Sequence, residues 1–202
     1  MGKRAGDSPA GFTLHAWVDE SMKQQSGQAD GMYLLTAVVG DPATCGRARD
    51  ALRELVRRRG GRLHWRQEEA PRRAKIAAAI GTQDLACIVV VGVPIAARRQ
   101  ERARRKCLER LLFELERIGV SHVWLEARST VLNRRDIELV DALRARGTLV
   151  TRTRVAHSLP DDEPMLWAAD AVAGAVSRAR QGLDLDIRTA LGEVDEIDIE
   201  LS

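Results

Sequence analysis

HAWVDES (residues 15–21) and HVWLEAR (residues 122–128) decide how this chain reads. Each puts a His, a Trp and an acid at alternate positions, about a hundred residues apart. Alternation with a period of two is the signature of a β-strand. In the first segment Leu14, Ala16 and Val18 share one face, and Thr13, His15, Trp17 and Asp19 the other. If the two strands are parallel neighbours, Asp19 and Glu126 meet at their C-terminal ends. In open α/β sheets ligands bind at that edge. Two acids there repel each other unless a cation lies between them or one is protonated. Hard divalent cations such as Mg²⁺ favour carboxylate oxygens. Each acid taken alone also fits a strand that simply ends in a turn.

A third acid, Asp170, lies inside the apolar run MLWAADAVAGAV. Asp is a poor residue for a helix interior and is costly to bury without a partner. A metal shared with Asp19 and Glu126 would account for it, and so would a salt bridge to an arginine. Gly174, one turn further on, would let this helix approach the sheet. Glu20 and Asp136 are secondary metal candidates: Glu20 adjoins Asp19, and Asp136 follows Glu126 early in a helix, where acids also favour the dipole. His157, read as a loop residue before the Asp170 helix, is a candidate proton shuttle or phosphate contact. His64 and Arg128 are candidate substrate contacts, and His15 and His122 are read as packed strand residues.

Working outward, the pattern predicts strands over residues 13–19, 32–40, 85–93, 120–127 and 148–155. Helices are expected over 44–59, 71–81, 99–118, 133–146 and 164–180. Two antiparallel strands followed by alternating strands and helices imply an α/β fold. The sheet is mixed and five-stranded, with helices on both faces and a helical insertion after the second strand. The domain spans residues 12–182, preceded by a loose leader (1–11) and followed by an acidic tail (183–202) that either adds a short strand or stays loose.

The composition, 45% hydrophobic and 30% charged over 202 residues, is that of a globular domain. The net charge is only +3, yet residues 47–75 hold ten arginines. Such a block attracts polyanions if it gathers on one face; a merely solvated arginine-rich surface is the plain alternative. Three scattered cysteines without a CxxC pair argue against a thiolate zinc site. No signal peptide is recognisable, and the longest apolar run is too short to span a bilayer, so a cytoplasmic location and no membrane partner are expected.

VDES after the first strand, LHW before a basic helix and HS…LWAADAVAGAV resemble the bacterial family called domain of unknown function 3800. The resemblance implies a ribonuclease H-like fold, with Asp19, Glu126 and Asp170 as metal ligands. It also implies substrate-side roles for Ser21 of the Asp-Glu-Ser motif and for Ser158 in the serine loop. The implied activity is nuclease-like phosphodiester hydrolysis with Mg²⁺ or Mn²⁺ by a two-metal mechanism, on RNA or DNA. Met22 stands where the family usually has Gly, and Glu126 where Asp is commoner. A catalytically inactive nucleic-acid-binding or protein-interaction module on the same fold is the alternative. The sequence carries no reading of oligomeric state.

Overall fold

The computed structural model describes residues 13–23, 31–58, 60–95, 99–150 and 153–201; the expected leader lies outside them. In chain order the elements are β1 (Leu14–Lys23), β2 (Gly31–Gly40), α1 (Gly46–Glu54), a 3-10 turn (Trp65–Gln67), α2 (Ala70–Gly81), β3 (Ala86–Ile95), α3 (Gln100–Arg117), β4 (Val120–Glu126), α4 (Thr130–Ala145), β5 (Arg154–Ser158), α5 (Pro164–Ala179), α6 (Leu185–Ala190) and β6 (Asp195–Glu200). They build one mixed sheet in the order β5-β4-β1-β2-β3-β6. β1, β2 and β3 are antiparallel in turn; β4 runs parallel to β1, β5 to β4, and β6 to β3.

The sheet has six strands rather than the expected five, and the sixth comes from the supposed tail. In DEIDIE the acids outnumber the apolar residues and hide an alternation. Ile197 and Ile199 pack on the core, while Glu196 and Asp198 pair with Arg180 at 2.9 and 2.6 Å. Residues 183–201 therefore belong to the fold.

Alternation along the strands splits the core in two. Trp17, Leu34, Val38, Val89 and Val91 meet α1, α2 and α5 on one face. Val18, Leu35, Val90, Val123 and Leu125 meet α3 and α4 on the other. Thus β2 and β3, covered on both faces, read as continuous apolar runs. Helix α5 is buried along most of its length because it lies across β1 and β2 with α1 and α6 beside it.

Three expected boundaries move for physical reasons. α1 stops at Glu54, where the Leu55 and Val56 amides tighten onto Leu52 O and Arg53 O and both side chains turn onto the core. α4 begins at Thr130, with Ser129 rather than Asn133 at its N-cap; the Asn133 side chain instead accepts a bond from Arg128 N at 2.8 Å, fixing the β4–α4 junction. β5 starts at Arg154, since the Thr148 and Leu149 amides close the end of α4 on Leu143 O. His157 and Ser158 are therefore strand residues that face opposite sides of the sheet. No helix among the described residues is long and apolar enough to cross a membrane.

Candidate active site at the C-terminal edge of strands β1 and β4

β1 and β4 are parallel neighbours in the register the repeated pattern requires. His15 lies beside His122, Trp17 beside Trp124 and Val18 beside Leu125. The next residue of each strand is the acid, so Asp19 and Glu126 stand side by side on one face, where β4 ends and β1 runs on. Helix α5 crosses the same face and brings Asp170 to them.

These acids share a cavity of about 410 Å³ with Ser21, Arg62, His64 and Arg66 among its walls. Asp19 is 8% exposed. Its burial, then the neighbouring Glu126 and Asp170 charges, raise its pKa well above the ordinary carboxylate range. Burial also raises the Asp170 pKa, with Glu126 adding to the shift and the Trp65 amide opposing it. Among the described residues none of the three acids forms an ion pair, although many other acids of the chain do.

Asp170 is placed by a contact that no local pattern reveals. Its Oδ2 accepts a hydrogen bond from Trp65 N at 3.0 Å. The Trp65 ring lies against Gly174, where an added Cβ would sit 2.0 Å from Trp65 Cδ1. The glycine therefore admits Trp65, not the sheet as the sequence suggested. This packing carries the flanking His64 and Arg66 to the cavity, with His64 Nε2 2.6 Å from Arg62 Nε. Gly174→Ala is accordingly expected to cost about 1–3 kcal/mol by overpacking. Urea unfolding would measure it; an unchanged midpoint would show that Trp65 moves aside freely.

Ser21 lies two residues beyond Asp19 on the same face and lines the cavity, as does His64. Arg128 lines it too, but its guanidinium is held by Glu101 at 2.7 Å and Asp136 at 3.0 Å, so it is not a free substrate contact. Ser158 is in register with Glu126 but is not among the cavity walls.

Glu20, Asp136 and His157 are corrected. β1 does not end at Asp19 but continues to Lys23, so Glu20 turns to the opposite face. There it accepts from Tyr33 Oη and pairs with Arg104 at 2.5 Å. Asp136 binds Arg104 through both oxygens, at 3.0 and 2.9 Å. His157 Nε2 lies 3.2 Å from Asp136 Oδ2. Burial opposes the charge on Asp136, but His157, Arg104 and Arg128 outweigh it and hold the carboxyl far below its ordinary range. Asp136 and His157 serve a buried charge network behind the sheet, not the carboxylate cluster; Glu20 joins that network through Arg104 and also borders the cavity.

Sequence reasoning missed Thr36. It sits beside Asp19 in the β1–β2 register, fully buried, with no hydrogen-bond partner for Oγ1. A lone hydroxyl in the apolar run of β2 was the available signal.

The chain's own donors fit a hard divalent cation in kind: three carboxylates with no ion pair among the described residues, and a buried, unsatisfied hydroxyl nearby. As they stand, no three His, Cys, Asp or Glu side chains among the described residues form a ready cluster for a metal ion.

No family model and no curated protein matches the chain. A solved structure, RNase HII from Archaeoglobus fulgidus in complex with PCNA, is similar with a TM-score of 0.50 and 17% identity, over 89% of this chain and 77% of that one. The likeness is one of fold: an α/β architecture around a mixed sheet.

Proposed function

We propose that this chain is a metal-dependent phosphodiester hydrolase of the nuclease type, as its resemblance to domain of unknown function 3800 implies. The observation that carries the reading is the meeting of Asp19, Glu126 and Asp170 in one cavity, none of them in an ion pair among the described residues. Mutual repulsion of buried acids is unfavourable: two unit charges at ~4 Å and an effective dielectric of ~20 repel by about 4 kcal/mol. A bound cation converts that repulsion into attraction.

Asp19, Glu126 and Asp170 would hold Mg²⁺ or Mn²⁺. The ion supplies Lewis acidity and a lowered pKa for bound water. The Trp65 amide fixes the orientation of Asp170. Arg62, His64 and Arg66, on the segment opposite the acids, face the incoming phosphate and offset its charge. The walls formed by Leu166, Trp167 and Pro160 keep bulk water from one side of the cavity.

Labelled RNA and DNA oligonucleotides incubated with purified protein test the reading. Cleavage is expected with Mn²⁺ or Mg²⁺ and none with EDTA. Binding without cleavage under every metal condition would favour the inactive module instead. Metal binding has a second expected readout: Mn²⁺ should raise the melting temperature, since a ligand of the native state stabilises it. Equal melting temperatures with Mn²⁺ and with EDTA would contradict binding at the carboxylates.

A further inference from the structure

β4 and β5 form the open end of the sheet. α4 packs on one of their faces; on the other, which holds the carboxylates, α5 lies over β1 and β2 rather than over β4 and β5, and Trp124 borders the core beside it. Three half-buried rings stand on that face. His122 and Trp124 are 6.3 Å apart and nearly parallel at 16°, while His15 lies 4.6 Å from His122, tilted at 43°, and accepts a hydrogen bond from Trp124 Nε1 at 3.4 Å. Burial, with His122 and Arg49 nearby, lowers the His15 pKa, which favours the uncharged ring.

Arg154 lies beside His122 in the β4–β5 register, exposed and without an ion pair among the described residues. The row ends at the site: Glu126 follows Trp124 by two residues on the same face, about 6.6 Å along the strand. An exposed acid, Asp162, lies in the loop before α5, and the neighbouring Asp161 pairs with Arg62 at 3.4 Å. The shelf is therefore apolar and aromatic with modest positive charge, rather than strongly basic.

We infer that the His15–His122–Trp124 shelf is a base-stacking platform that leads a single-stranded nucleic acid, RNA or DNA, into the carboxylate site. This names the substrate class for the proposed hydrolase and rests on that reading. Unpaired bases expose faces that stack on flat side chains, whereas duplex bases are already stacked on each other. Arg154 supplies a backbone contact, and the limited charge implies that stacking carries most of the affinity.

Binding measured in EDTA separates the platform from the chemistry, because no cleavage takes place. Fluorescence anisotropy with a 12-mer single strand and the matching duplex gives the affinities. Trp124→Ala should weaken single-strand binding roughly tenfold and duplex binding by less than about twofold. His122→Ala should act in the same direction, and Trp124→Phe, which keeps a ring and secures the test should Trp124→Ala fail to fold, should bind nearly as wild type. Arg154→Ala should lower the salt slope by about 0.7. Single-strand binding should quench wild-type Trp fluorescence, and this quench should be smaller in Trp124→Phe, where Trp65 and Trp167 at the cavity remain. The inference is overturned if wild type binds no single strand, if both alanine variants bind it as wild type does, or if they weaken duplex binding equally. A platform that passes in a protein that cleaves nothing would sink the hydrolase reading alone; cleavage with unaffected binding in the variants would sink the platform alone.

Discussion

Asp19→Asn is expected to reduce metal-dependent cleavage by well over a hundredfold. Residues that only orient a metal ligand typically cost about 10- to 100-fold when removed, so a direct ligand costs more. The same substitution should stabilise the metal-free protein at neutral pH, which sets it apart from ordinary damage. The folded state raises the pKa of Asp19 and of Asp170 above the unfolded value of about 4. A raised carboxyl pKa contributes stability that is complete below the unfolded pKa and is lost as pH rises through the folded one. Metal-free wild type should therefore lose stability as pH climbs above about 4, and Asp19→Asn should lose less. Cleavage rates and melting curves from pH 4 to 8 in EDTA check both halves. A variant that is inactive but also less stable at pH 7 would mean that Asp19 supports the fold.

Arg104→Met should cost about 3–5 kcal/mol, because it removes one partner of a buried ion pair and leaves the other behind. The Arg104 and Asp136 side chains are 4% and 5% exposed, and Arg104 also holds Glu20. Burial works against the Arg104 charge, but Asp136, Glu20 and Tyr33 outweigh it and raise its pKa. Here the sign of the pH dependence is opposite to that of Asp19. Asp136 is held below its unfolded pKa, so its contribution is present above about pH 4 and is lost as pH falls. The variant should show a weaker loss of stability on acidification than wild type. Urea unfolding at pH 7 and pH 3 measures the change; a loss under about 1 kcal/mol at pH 7 would show that Arg128 and His157 suffice for Asp136. Because Glu20 follows Asp19 directly, this network also fixes the strand that delivers the first carboxylate.

The central geometry was legible because it rests on local periodicity. The repeated His-x-Trp-x-acid pattern carries both the parity of the strands and the end from which the acids emerge. Asp170 was legible for the opposite reason, as a polar residue where its helix is otherwise apolar. What was not legible depends on distant contacts. Nothing in Glu20 itself shows that β1 continues through polar Ser21 and Lys23 and turns it toward Arg104. The partner of Asp170 is a backbone amide 105 residues away, and Gly174 serves a tryptophan ring from another segment. The acidic tail reads as a short strand or a loose end, and what makes it β6 is distant: its acids pair with Arg180 and Arg188. His157 was misplaced by a shift of β5 along the chain, enough to move it from the site to the network behind the sheet.

A crystal soaked in Mn²⁺ and measured at the manganese absorption edge tests the central claim most directly. The expected result is an anomalous peak bound by Asp19, Glu126 and Asp170 that is absent from an Asp19→Asn crystal treated the same way. A wild-type crystal with manganese elsewhere on the protein and none among these three carboxylates would contradict it.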